Sequence, residues 1–175
     1  MVLAGGCFWC VEHDMRSVPG VVKVISGYSG GEIPNPTYEN HPGHREAILV
    51  EYDDAKTNYK KLLHFFIDNI DPTDRAGQFA DRGSSYAPAI FYENSDEETV
   101  ARAVIEEVAK SGVYDGPIMV DIIPRKLFYK AEEYHQDYAA KNPLRYQSYR
   151  QGSGREVFVK KVCQIRQRKK IDWSN

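Results

Sequence analysis

The chain has 175 residues, 42% of them hydrophobic and 27% charged, a composition that suits one soluble globular domain with a substantial core. A formal net charge of -2 gives no reason to expect a nucleic-acid partner, and no apolar run reaches the roughly 18 residues that a membrane span needs. Met1 to Gly6 lacks a basic stretch followed by a long apolar one, so no signal peptide is expected.

In chain order, Met1 to Ala4 predicts a short strand ended by Gly5-Gly6, and Cys7 to Val18 a helix stopped by Pro19-Gly20. Val21 to Tyr28, rich in β-branched residues, predicts a strand. Ser29 to Gly43 carries three glycines and three prolines and reads as a long irregular loop. Glu46 to Tyr52 alternates as a strand does. Thr57 or Asn58 caps a helix running to Asn69, with Leu62, Leu63, Phe66 and Ile70 on one face. A second long loop is expected over Asp71 to Tyr86, then a strand at Ala89 to Tyr92. Ser95 and Glu98 suggest a capping box for a helix ending near Gly112. Ile118 to Ile123 predicts a strand closed by Pro124, Ala131 to Lys141 a helix stopped before Pro143, and Arg155 to Gln167 a last helix. Strands and helices alternate, with two strands adjacent between residues 21 and 52. That order suits a split βαβ, ferredoxin-like α/β sandwich with long loops.

The three cysteines are Cys7, Cys10 and Cys163. An odd count argues against a fully paired disulfide framework and for reduced thiols in a reducing compartment, so a cytoplasmic location is expected. Gly5-Gly6-Cys7-Phe8-Trp9-Cys10 puts Cys7 between a strand and a helix N-terminus. Free N–H groups and the helix dipole favour a thiolate there, and Cys10 follows one turn on, within reach of a disulfide. Taken alone, Cys-x-x-Cys points to a thioredoxin-like dithiol oxidoreductase acting on disulfides. It also opens many zinc sites, but four ligands are needed and Cys163 stands alone, so no metal is expected.

The string Gly6-Cys7-Phe8-Trp9 resembles the signature of A-type peptide methionine sulfoxide reductases, in the branch reading Gly-Cys-Phe-Trp-Cys. Further motifs follow in that family's order: Gly27-Tyr28-Ser29-Gly30-Gly31, Asn35-Pro36-Thr37-Tyr38, Gly43-His44-Arg45-Glu46-Ala47, Asp71-Pro72-Thr73, Asp81 to Tyr86 and Tyr134 to Tyr138. The resemblance runs from Gly5 to about Gly154. It implies thiol-dependent reduction of methionine S-sulfoxide, free or in proteins, with Cys7 as nucleophile and Glu46 as proton donor. Tyr38 and Tyr86 would bond the sulfoxide oxygen, Asp81 would hold the hydrogen-bond network, and Phe8 and Trp9 would wall the substrate's methyl group. His44 and His135 also match family positions and are expected to be structural or supporting.

Many members of the family keep a resolving cysteine in a C-terminal motif ending Cys-Gly-Arg. Here Gly152-Ser153-Gly154-Arg155 puts serine in its place, and the resemblance implies that Cys10 resolves the Cys7 sulfenic acid, with Cys163 a bystander. No cofactor is implied beyond an external, thioredoxin-like thiol reductant. Residues 1–154 are expected to form the catalytic domain and 155–175 a helical extension packed on it, in a monomer.

Overall fold

The computed structural model describes residues 1–173. Its strands are β1 (Val2–Ala4), β2 (Val21–Ser29), β3 (Arg45–Tyr52), β4 (Gly77–Gln78), β5 (Asp81–Arg82), β6 (Ala89–Tyr92), β7 (Asp121–Pro124) and β8 (Tyr129–Lys130). Its helices are α1 (Phe8–Arg16), α2 (Tyr59–Asp68), α3 (Ser95–Ser111), α4 (Tyr138–Lys141), α5 (Pro143–Gly152) and α6 (Arg155–Lys169).

Six strands form one sheet in the order β7-β6-β1-β3-β2-β8, and β4 and β5 make a separate two-stranded hairpin. β3 lies between β1 and β2, and β1 lies between β3 and β6, so β1-α1-β2 and β3-α2-β6 are both split βαβ units. This is the ferredoxin-like order, extended by β7, parallel to β6, and by β8, antiparallel to β2. The strand alternation sorts side chains onto two faces. Leu3, Ile48, Val50 and Ile90 face a large cluster that also takes Phe8, Val11 and Met15 of α1, Leu62, Leu63, Phe66 and Ile67 of α2, and Val104 and Val108 of α3. Val2, Ala4, Ala47, Ala89 and Phe91 form a smaller cluster. Each fully buried Leu, Ile or Phe contributes roughly 1.5–3 kcal/mol.

Several element expectations change in detail. The α3 cap is Asn94, whose side chain accepts from the N–H groups of Asp96 and Glu97, rather than a Ser95–Glu98 box. The predicted loop 71–86 contains the β4–β5 hairpin and a 3₁₀ turn at Ser84–Tyr86. The helix expected from Ala131 begins only at Tyr138. Gln136 instead bonds the backbone of Ser26 and Ala131, and Asp137 takes a left-handed φ of 55°, its N–H donating to Glu12. Pro143, read as a stop, is also the first residue of α5, an extra helix.

Candidate active site

The sheet register gathers the candidate residues at one edge. β1 runs antiparallel to β3 and to β6, so the end of β1 meets the beginnings of both, with Ala4 opposite Ala89. Tyr28, near the end of β2, lies opposite Glu46, near the start of β3. Cys7 after β1, Glu46 at the head of β3, the loop after β2 that carries Tyr38, and the 3₁₀ turn that carries Tyr86 before β6 therefore converge. Gly6 makes the turn possible: its φ is +83°, and a Cβ there would sit 2.5 Å from Gln78 Cβ and 2.9 Å from Arg155 Nη2.

Cys7, Phe8, Trp9, Tyr38, Glu46, Asp81, Tyr86 and Tyr149 line one cavity of about 80 Å³. Phe8 stacks on Tyr38 with ring centroids 6.4 Å apart and tilts against His135 at 4.9 Å. Trp9 stacks on Tyr138 at 3.7 Å, and its indole N–H donates to His135 Nδ1 at 3.0 Å. That bond leaves the His135 proton on Nε2, and burial lowers the ring's pKa, so the imidazole is neutral.

Glu46 is 2% exposed, and the Phe8 N–H donates to its Oε2 at 2.9 Å. Burial is the main reason that its pKa rises to about 8, with Asp81 and Cys10 adding to the rise against the Phe8 and Tyr86 hydrogen bonds. At neutral pH this carboxyl carries a proton that it can give away. Burial, then the charge of Glu46, likewise raises the pKa of the Tyr38 and Tyr86 phenols, which stay protonated donors.

The Cys7 thiol departs from the expectation that the helix N-terminus lowers its pKa. Cys7 caps α1 and accepts the Cys10 N–H at 3.1 Å on its carbonyl. Burial, then Cys10 and Glu46, push the Cys7 thiol well up. Cys10, fully buried, is pulled down to about 7, first by its hydrogen bond to Cys7 and then, against burial, by Arg155 and Arg150. The two thiols titrate as one pair, sharing a single proton once the pair first ionises, and the helix dipole, acting mainly within the first turn, does not outweigh burial at Cys7.

The walls are held from behind. His44 accepts from the Gly31 N–H and donates to the Ile33 carbonyl at 2.8 Å, pinning the loop that carries Tyr38. Glu132 accepts from the Tyr28 hydroxyl and the Tyr38 N–H, each at 2.9 Å. Arg155, 1% exposed, donates to the carbonyls of Gly5 and Asn69 at 2.8 Å and so clamps the turn before Cys7.

A family profile described as peptide methionine sulfoxide reductase matches residues 1–167. The chain is 49% identical over 160 residues to the peptide methionine sulfoxide reductase MsrA of Bacillus subtilis, covering 89% of this chain and 90% of that one. The chain belongs to the peptide methionine sulfoxide reductase family, A type. Solved relatives agree: methionine sulfoxide reductase A of Corynebacterium diphtheriae superposes with a TM-score of 0.77 at 31% identity, covering 82% of this chain and 74% of that one. Mxr1 of Saccharomyces cerevisiae in reduced form gives 0.75 at 31%, covering 81% and 84%.

All the candidates taken from the family resemblance lie together: seven line the cavity, and Cys10 lies behind Cys7. Cys163 is exposed on α6, outside that cavity. Ser153 ends α5, its hydroxyl donating to the Arg150 carbonyl at 3.0 Å. Sequence reasoning missed Tyr149, Arg150 and Arg155 as site residues. The first two ride on a helix it did not foresee; Arg155 stands at the arginine of the Cys-Gly-Arg motif, but that motif drew notice only for its missing thiol. Among the described residues no group of three or more His, Cys, Asp or Glu is placed to hold a metal, and no helix is long and apolar enough to cross a membrane.

Proposed function

We propose that the chain reduces methionine S-sulfoxide, free or in peptides and proteins, to methionine. The Cys7 sulfur attacks the electrophilic sulfoxide sulfur while Glu46 protonates the oxygen, which is otherwise a poor leaving group. Tyr38 and Tyr86 donate to that oxygen, Asp81 organises the network around it, and Phe8 and Trp9 enclose the S-methyl group. Oxygen passes to Cys7 as a sulfenic acid and methionine leaves. Cys10 then condenses with the sulfenic acid, releasing water and forming a Cys7–Cys10 disulfide that a thioredoxin-like dithiol reduces. The enzyme works without a cofactor, as a cytoplasmic monomer, with residues 1–154 as its catalytic domain and 155–175 as a C-terminal extension.

The observation that carries this reading is the shared cavity: a proton-bearing Glu46, two protonated phenols and the Cys7 sulfur line it together, with a second thiol bonded behind. A plain disulfide oxidoreductase has no use for a carboxylic acid beside its thiol. The test is reduction of each sulfur epimer of methionine sulfoxide with dithiothreitol. A fixed methyl pocket and a fixed oxygen site leave one productive handedness, so the S epimer alone should react; equal rates on both epimers would overturn the proposal.

A further inference from the structure

Three phenols line the cavity, and the reading above gives two of them, Tyr38 and Tyr86, to the sulfoxide oxygen. The third, Tyr149, comes from α5, outside the motifs that carry the family resemblance. Its hydroxyl donates to Asp81 Oδ2, and it lines the cavity wall together with Cys7. Its ring meets Trp9 edge-on at 6.1 Å, which fixes the phenol in place. A phenol has one proton and two lone pairs. While Cys7 is a thiol, the proton points to Asp81. Once Cys7 ionises, its sulfur is an anion with 5% exposure, out of reach of full solvation and close to the Asp81 carboxylate. The phenol is the group standing between the two like charges.

We infer that Tyr149 is a catalytic residue of the thiol step, a donor that turns its hydrogen bond from Asp81 to the Cys7 thiolate as that thiolate forms. The inference rests on Cys7 being the nucleophile. The proton that Cys7 loses passes to the Cys10 sulfur, and Tyr149 keeps its own. The sulfoxide S–O bond then breaks, an S–O bond forms on Cys7, the substrate gains two electrons as a thioether and Cys7 is oxidised to the sulfenic acid. Cys10, now a thiol, attacks the sulfenic sulfur and water leaves. Tyr149 acts on the first of these steps by stabilising the charge, so it sets how much Cys7 thiolate exists at a given pH.

Tyr149→Phe removes the hydroxyl and leaves the ring against Trp9. The readout is the rate of Cys7 alkylation by iodoacetamide against pH, followed by peptide mapping on the whole protein. The variant should react about tenfold more slowly than wild type at pH 7, the size expected for one hydrogen bond to a charged group, and should converge with it only at a pH high enough to ionise Cys7 in both proteins. An unchanged profile, or a rate reduced by the same factor at every pH, would overturn the inference. Should Tyr149→Phe fold poorly, a fluorinated tyrosine at position 149 keeps the shape and makes the phenol a stronger donor. It should shift the profile to lower pH, and an unshifted profile would overturn the inference equally. Methionine release by Cys7→Ser would sink the nucleophile assignment and this inference with it. Release that depends on Cys7, together with an unshifted Tyr149→Phe profile, would sink this inference alone.

Discussion

The two sides of the Cys7 sulfur are built from different material. One side comes from the sheet edge and its loops: Glu46, Tyr38 and Tyr86. The strongest influences on Glu46 are burial, the Phe8 N–H, Asp81, Cys10 and Tyr86, none of them a cation. The other side comes from the C-terminal helices. Arg155 reaches back to Gly5, and Arg150 is held by Asp14 at 2.9 Å, Glu156 at 2.8 Å and the Tyr146 hydroxyl at 3.1 Å. Glu46 and Cys10 are both buried, with opposite results. Without a cation the carboxyl keeps its proton; the Cys10 thiol, paired with Cys7 and then drawn by two arginines, is pulled down to about 7. Burial alone therefore does not decide a group's charge; the neighbours do.

The comparison breaks most sharply at Glu46. Glu46→Gln keeps the shape and the acceptor for the Phe8 N–H but cannot donate an acidic proton. The sulfoxide step, read as the first burst of methionine, should slow by on the order of 10²- to 10⁴-fold. A change below about threefold would remove Glu46 from the mechanism.

Cys10→Ser tests the other side. It should still release one methionine per enzyme, because Cys7 is intact, but should turn over poorly with thioredoxin for want of a disulfide. Cys163→Ser should behave as wild type in both assays. A dominant Cys7–Cys163 link in peptide maps of sulfoxide-treated protein would overturn the assignment.

Arg155→Met keeps much of the volume and removes the cation. The buried Gly5 carbonyl and the partly buried Asn69 carbonyl lose their donor, so denaturant unfolding should show a loss of about 2–4 kcal/mol. The pH midpoint for Cys10 alkylation should rise, since the cation with the largest pull on its thiol is gone. An unmoved midpoint would leave Arg155 as a clamp alone.

One further effect falls on stability alone. The folded state holds the Glu46 proton up to about pH 8, whereas the unfolded group releases it near 4.5. Stability from this group is therefore full below pH 4.5 and is lost as pH rises through 8. Glu46→Gln does not titrate, so relative to wild type it should gain roughly 5 kcal/mol between pH 4.5 and pH 9, at about 1.4 kcal/mol for each pH unit by which the pKa of a buried group is raised. Thermal melting of both proteins across that range checks it, and a constant difference would count against the raised pKa.

Much of this was legible in the sequence for physical reasons. Val21–Ser29 and Arg45–Tyr52 announce themselves by β-branched residues and alternation, and the Gly-Gly turn before Cys7 marks the strand-to-helix junction. The motifs gave the oxygen side, because its residues sit in short stretches of unmistakable order. The thiol side was hidden. α5 buries only Tyr146 and has no apolar stripe to betray it, and it begins at a proline that also signals a stop. The break at Asp137 depends on Glu12 and Ser26, both more than a hundred residues away in the chain, which no local pattern records. The lowering of the Cys10 pKa likewise draws, after its pairing with Cys7, on arginines brought in from the far end of the chain.

Trp9 gives the molecule a built-in optical signal. It is one of two tryptophans, and it adjoins Cys7 in sequence and in the cavity wall, pinned by Tyr138 and His135. The other, Trp173, stacks on His64 at 4.1 Å, outside the cavity, and supplies a steady background. Disulfides and thiolates quench indole emission at short range, so the fluorescence of the unlabelled protein should brighten or dim with each change at the neighbouring sulfur. Single turnovers can then be timed by light alone, without a coupled assay.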